Sequence, residues 1–98
     1  MPDFEWKEVE EKACFEYEWA EKQINLTRFD GEYIMAFLLY EATTGWIAII
    51  EGRETVLLAE TEEEAKNAVL DELETIYEDK IADDKLMLND IREFNKGA

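Results

Sequence analysis

Histidine is absent from this chain of 98 residues, and cysteine and proline occur once each. Without histidine there is no Ser-His or Cys-His couple to activate a nucleophile, which argues against acyl-transfer chemistry. The single cysteine, Cys14, rules out an intrachain disulfide, fits a reducing cytoplasm, and is expected to be a small buried residue. The four glycines are scattered, so neither a dinucleotide fingerprint nor a phosphate loop is present. We therefore expect no catalytic residue and no cofactor.

Long apolar runs and metal-ligand patterns are also missing. No segment approaches the ~18 apolar residues of a membrane span, and the N-terminus has no basic segment followed by an apolar run, so we expect a soluble cytoplasmic protein. Four acidic residues near a predicted interhelical break lack the alternating spacing and the glycine of a calcium loop. They are Glu78, Asp79, Asp83 and Asp84. We expect no metal site beyond adventitious cation binding.

Acidic residues are what the chain has in excess, with 26 of them against 10 basic residues and a formal charge of −16. Hydrophobic residues still make up 47% of the chain, too large a share for a disordered acidic tail. This length and composition predict a single domain over 1–98. The charge favours solubility and fast encounter with basic proteins, and it opposes direct binding to nucleic acid.

Apolar runs and turn signals predict an antiparallel meander in the first 60 residues. Between 13 and 19, three aromatic residues alternate with Glu16 and Glu18, which predicts a half-buried strand with an acidic outer face. The first twelve residues leave two alternatives open, a short helix or an edge strand. Further strands are predicted at 23–29, 33–40, 46–50 and 55–59.

A change of period near residue 60 predicts helices in the remainder. Thr61 and Glu64 match a capping box, and the apolar positions of the helix they open recur at the 3.6-residue repeat. Those positions are Ala65, Val69, Leu73, Ile76 and Tyr77. A second helix, capped by Asp83 or Asp84, carries the stripe Met87, Ile91 and Phe94. We predict an α+β fold, an antiparallel sheet of about four or five strands packed by one long helix and a shorter terminal helix.

One face of the long helix carries an acidic stripe without a lysine. At 100° per residue, the stripe fills an arc of about 100° opposite the apolar positions. It consists of Glu63, Glu64, Asp71, Glu74 and Glu78. Glu74 and Glu78 repel each other at the i, i+4 spacing, which helix stability alone does not explain. Acids from 60 to 79 recur about every 3.3 Å, near the ~3.4 Å phosphate spacing of one DNA strand.

Two interpretations of the acidic stripe remain open. It is either the solvated face of an acidic protein or a nucleic-acid mimic, whose carboxylates occupy the phosphate sites of a basic nucleic-acid-binding protein. The predicted partner-binding residues are the five stripe residues, together with Glu16 and Glu18 as a second contact. The alternative function is a structural or regulatory adaptor, or a homodimer formed through an uncovered sheet edge or face, whose acidity serves solubility alone.

The segment 33–75 resembles small phage and prophage accessory proteins, in which a strand meander leads into a helix beginning S/T-x-E-E-A-K. The likeness is carried by Gly45-Trp46-Ile47-Ala48, the turn at Glu51-Gly52, and Thr61-Glu62-Glu63-Glu64-Ala65-Lys66. Together with the charge, the resemblance implies a phage-type inhibitor similar to anti-CRISPR and anti-restriction proteins. Its implied target in the bacterial host cell is a CRISPR effector or a restriction enzyme, and no functional residue transfers by motif.

Overall fold

Five antiparallel strands and two α-helices make up the fold in the computed structural model, which describes residues 4–29, 31–79 and 85–97. The strands are β1 (Glu5–Val9), β2 (Lys22–Arg28), β3 (Tyr33–Glu41), β4 (Gly45–Ile50) and β5 (Arg53–Val56). The helices are α1 (Glu62–Asp79) and α2 (Lys85–Gly97). Strand order in the sheet equals chain order, β1-β2-β3-β4-β5, as in a meander. The predicted α+β class is confirmed.

The edge strands settle two sequence predictions. The first residues form the edge strand β1, which pairs with β2 from Glu5↔Thr27 to Val9↔Gln23 and so decides between helix and strand. At the other edge, β5 begins at Arg53 and ends at Val56, so the predicted strand 55–59 was placed too late in the chain. The reason is the two-residue turn at 51–52, where positive φ angles of 53° and 78° let Arg53 pair with Ile50 at once.

The main core lies between one face of the sheet and the two helices. Leu38 of the central strand, Val69 and Leu73 of α1, and Ile91 of α2 are all at most 1% exposed there. These residues follow the predicted apolar positions of both helices. Leu70 is also buried, although it lies outside the predicted stripe. The proposed cap residues Asp83 and Asp84, and the side chain of Met87, lie outside the described residues.

The opposite face of the sheet is covered by the connection between β1 and β2. Leu39, Ile47 and Ile49 are buried on this face, with Phe15 and Tyr17 of the connection packed against them. The sheet is therefore apolar on both faces at its centre. Among the described residues, no helix is both long and apolar enough to cross a membrane.

The predicted strand over 13–19 is wrong. The connection forms a short 3₁₀ helix at Lys12–Cys14 and then an irregular reversal. The side-chain oxygen of Gln23 accepts hydrogen bonds from the backbone N–H of Glu16 at 2.9 Å and of Tyr17 at 3.4 Å. These bonds satisfy backbone donors that a strand would have paired with a neighbouring strand. Cys14 is exposed on this connection, contrary to the expectation of burial.

Candidate acidic interaction surface

The C-terminal half of the acidic stripe contacts α2. The Arg92 Nε atom donates to Glu74 Oε1 at 3.0 Å, and its guanidinium also donates to Glu78. Both hydrogen bonds raise the pKa of Arg92, and the bond to Glu78 has the larger effect. One cation therefore lies between the two carboxylates whose spacing is repulsive within α1. The expectation that helix stability does not explain this pair is corrected, because the compensating charge comes from α2.

A second α2 residue extends the same contact. The side-chain amide nitrogen of Asn95 donates to Asp71 Oδ1 and to Glu74 Oε2, each at 3.0 Å. Glu74 is half-buried, with 25% of its side chain exposed, so it is not part of a fully solvated face. Asp71 and Glu78 are exposed, as expected, but their carboxylates already have partners.

Glu64 is exposed at the start of α1, where its carboxylate caps the helix. The Glu64 N–H donates to Thr61 Oγ1 at 3.1 Å, and Glu64 Oε1 accepts from the N–H of Glu60 at 2.9 Å and of Thr61 at 3.3 Å. The capping box is confirmed. The Glu64 charge lies near the positive end of the helix dipole, so it contributes to the stability of α1 as well as to the surface charge.

Glu63 is the stripe residue that is both exposed and without a hydrogen bond or ion pair among the described residues. It lines a groove of about 380 Å³ beside Trp6 of β1. Lys66 lies in the same groove, with its Nζ atom 5.6 Å from the centre of the Trp6 ring. The free part of the stripe is therefore the first turn of α1, where it approaches β1.

The topology gathers further acidic residues at that end of the sheet. Neighbouring strands of this meander run in opposite directions, so the ends of β1, β3 and β5 lie beside the starts of β2 and β4. The start of α1 lies next to them. We call this surface the acidic end. Its acidic residues are Glu8, Glu10, Glu11, Glu16, Glu18, Glu21, Glu41, Glu60, Glu62, Glu63 and Glu64, and its basic residues are Lys12, Lys22 and Lys66.

Lys22 joins the strands to α1 within the acidic end. Its Nζ atom lies 2.5 Å from Glu62 Oε1 and 3.6 Å from Glu8 Oε1. Hydrogen bonds from Lys22 and then Lys66 lower the pKa of Glu62, and the bond to Glu62 raises the pKa of Lys22. Two of the three cations at this end are thus already bound to Glu62, since Lys66 Nζ lies 2.9 Å from its other oxygen.

The connections at this end also use some carboxylates to hold the backbone. Glu41 accepts a hydrogen bond from the N–H of Thr44 at 2.9 Å, and Glu21 accepts one from the N–H of Ala42. Hydrogen bonds from Thr44 and Thr43 lower the pKa of Glu41. Among the described residues, five carboxylates of the acidic end have no hydrogen bond or ion pair: Glu10, Glu16, Glu18, Glu60 and Glu63. These five define the free part of the surface.

Glu16 and Glu18 are exposed on the connection between β1 and β2, not on the outer face of a strand. Their connection is joined to the start of β2 through Gln23, and it covers the face of the sheet opposite to α1. Five strands spaced about 4.8 Å apart give this end a width of about 20 Å. One DNA strand carries about six phosphates over that distance.

Metal-ligating side chains do not cluster in the part of the chain that the structure describes: no group of three or more is arranged to hold an ion. Of the four acids near the interhelical break, Asp83 and Asp84 lie outside the described residues, as does the side chain of Asp79. No family model matches the chain, and neither does any curated protein or solved structure. The likeness to phage accessory proteins therefore stays a prediction.

Proposed function

We propose that this protein is a non-enzymatic inhibitor that binds a basic nucleic-acid-binding protein through the acidic end. Its carboxylates take the positions of nucleic-acid phosphates and so block the groove of the partner. The observation that supports this proposal is the group of five exposed carboxylates, on the β1–β2 connection and at the start of α1, that have no internal partner among the described residues. Lysine and arginine side chains of a partner can bind them without breaking a contact of the fold.

The proposed contact differs from the stripe that the sequence predicts. Glu63 remains a leading residue, Glu16 and Glu18 remain the second contact, and Glu10 and Glu60 join them. Glu64 adds charge at the same end while it caps α1. Asp71, Glu74 and Glu78 add to the long-range field, but a partner could bind them directly only in competition with Arg92 and Asn95.

The class of target rests on the resemblance to phage accessory proteins. We propose a host-defence protein of the bacterial cytoplasm, either a CRISPR effector or a restriction enzyme. Such proteins hold nucleic acid in a positively charged channel, which a rigid acidic surface of about 20 Å fits in charge and in width.

Capture from bacterial lysate tests this proposal. The tagged protein is incubated with nuclease-treated lysates that contain a CRISPR effector or a restriction enzyme, and bound proteins are eluted in salt steps. We expect a basic nucleic-acid-binding protein that is released by moderate salt and displaced by duplex DNA. If DNA displaces no retained protein, the proposed mimicry is wrong.

The open outer edge of β5, with Val56 exposed beside it, favours a homodimeric adaptor as the second candidate function. Salt separates the two candidates, because binding through carboxylates weakens as salt rises whereas apolar assembly persists or strengthens. A dimer that survives high salt, together with an empty capture experiment, would support the adaptor.

A further inference from the structure

The outer edge of β5 has backbone groups that point away from the sheet. The N–H of Leu57 donates to the carbonyl oxygen of Trp46 at 2.9 Å, so Leu57 faces β4. Because the direction alternates along a strand, the N–H and C=O groups of Glu54 and Val56 point outward. Among the described residues, no backbone hydrogen bond joins this edge to another segment. The edge can therefore accept one more strand.

A groove of about 380 Å³ lies between this edge and α1. Leu57 and Ala68 form part of its apolar wall, and Val56 and Leu58 lie at its rim. Val56 is 58% exposed and Leu58 is fully exposed. A fully exposed leucine contributes almost nothing to folding, so these two side chains are available to an apolar partner surface.

The α1 side of the groove is acidic. Asp71 and Glu72 line it, Glu54 of β5 is exposed at the same edge, and no basic residue is among the lining residues. Glu72 has no hydrogen bond or ion pair among the described residues. The groove thus combines an open strand edge, two exposed aliphatic side chains and uncompensated negative charge.

We propose that this groove binds an extended segment of another protein, in which basic and apolar residues alternate, as a sixth antiparallel strand beside β5. Backbone groups of the segment bind those of Glu54 and Val56, and successive side chains point to opposite faces. Apolar side chains on one face contact Val56, and basic side chains on the other reach Glu72. This site is separate from the acidic end and does not depend on the function proposed there.

Charge selects a basic foreign segment over a second copy of this chain. Two copies each carry a formal charge of −16 and repel each other. A second β5 would also bring another Glu54 to the edge and only Arg53 as a cation. A lysine-bearing strand instead places opposite charges beside the groove, which strengthens binding and speeds encounter.

Titration of the isotope-labelled full chain with designed peptides tests the proposal. The probe is a blocked nine-residue peptide of alternating lysine and valine. One control is the same peptide N-methylated at the valine amides, which keeps the charge but removes the donors that would face β5. We expect the probe to shift the NMR signals of Glu54 and Val56 and to slow their amide exchange. The N-methylated control should bind at least about tenfold more weakly, since it loses more than one backbone hydrogen bond to β5. Equal binding of both peptides would overturn the proposal.

Two variants and a matched control locate the site. Val56→Pro removes an outward N–H of β5 without removing a hydrogen bond to β4. Glu72→Lys reverses one charge of the groove and leaves the backbone of β5 unchanged. Glu93→Lys, at an exposed position of α2, makes the same charge change elsewhere. We expect about tenfold weaker peptide binding in Val56→Pro and in Glu72→Lys, and a smaller change in Glu93→Lys. Since Glu72→Lys leaves β5 intact, it decides the outcome even if Val56→Pro does not fold.

Two further results would contradict this site. Peptide-induced shifts confined to Glu16, Glu18 and Glu63 would show unspecific attraction to the acidic end. Sedimentation of a dimer that Val56→Pro converts to a monomer would assign the edge to a second copy. Neutralising the free carboxylates of the acidic end should leave peptide binding at β5 in place, so failure here and failure of the proposed inhibitor are distinguishable.

Discussion

The two halves of the acidic face of α1 are both built from carboxylates, but their surroundings differ. In the C-terminal half, Asp71, Glu74 and Glu78 contact Arg92 and Asn95 of α2. In the first turn, Glu63 faces solvent at the acidic end and has no partner among the described residues. Carboxylates of one helix thus hold the fold together at one end and are free to bind elsewhere at the other.

Whether a row of carboxylates stabilises the fold or is free to bind a partner therefore depends on the element that packs beside it. Regular spacing of acids along α1 suggests one continuous surface, yet α2 divides it. A hydrogen bond to a charged group contributes about 1.5–3 kcal/mol when it is partly buried, whereas an isolated exposed charge contributes little to stability. Substitutions at the contact with α2 and substitutions at the free carboxylates should therefore change stability by different amounts.

Detaching α2 should have the largest effect. Ile91 of α2 is fully buried in the main core. Ile91→Ala therefore leaves a cavity and should lower the free energy of unfolding by about 2–5 kcal/mol. Leu58→Ala, which truncates an exposed aliphatic side chain, should change it by less than about 0.5 kcal/mol. Urea denaturation followed by circular dichroism measures both. Equal losses would show that α2 does not pack on the core as described.

Charge reversal in the two halves of α1 should have unequal costs. Glu74→Lys places a cation against Arg92 and removes the acceptor of Asn95, so we expect a larger loss of stability than at a position without partners. Glu63→Lys makes the same change at an exposed position and should stay within about 0.5 kcal/mol. Denaturation midpoints at constant pH and salt compare the pair. If the two variants are equally stable, the Arg92 contact does not form in solution.

The fold could be anticipated because its signals are local. The turn at 51–52, the capping box of Thr61 and Glu64, and the 3.6-residue repeat of α1 each depend on residues within a few positions of one another. The contact of Arg92 with Glu74 and Glu78 joins two helices, so no residue spacing within one helix predicts it. An antiparallel arrangement of the two predicted helices would have supplied the missing signal.

The strand predicted over 13–19, in the connection between β1 and β2, was wrong for a related reason. Alternating aromatic and acidic residues satisfy the strand pattern, but the same alternation also suits an irregular segment that turns its aromatic side chains onto a sheet. Gln23 makes that conformation possible by accepting hydrogen bonds from the backbone of Glu16 and Tyr17. Consequently Glu16 and Glu18 are exposed as expected, on a different kind of element.

The contribution of Glu62 to stability should depend on pH. Lys22 and Lys66 lower its pKa below the ordinary value of 4.5, so the stabilisation is present above that value and is lost as the pH falls through the lowered pKa. The difference in unfolding free energy between the protein and Glu62→Gln should therefore be positive at neutral pH and vanish in acid. A difference that is constant with pH would mean that the ion pair with Lys22 contributes nothing.

Neutralising four of the five free carboxylates should have the smallest effect on folding. The acidic-end variant combines Glu16→Gln, Glu18→Gln, Glu60→Gln and Glu63→Gln, none of which has a side-chain partner among the described residues. Less self-repulsion should leave stability unchanged or slightly higher and make it less dependent on salt. Thermal unfolding at low and moderate salt measures this. A marked loss of stability would assign these residues to the fold.

The most direct test compares the affinity of the acidic-end variant with that of a distal variant for the basic protein captured from lysate. The distal variant carries Glu5→Gln, Glu32→Gln, Glu51→Gln and Glu93→Gln, so both variants lose the same charge from exposed positions. The proposed mimicry predicts that the acidic-end variant binds at least about tenfold more weakly and no longer competes with DNA, while the distal variant keeps most of its affinity. Equal losses in the two variants would contradict it, because they would show that total charge, not the acidic end, determines binding.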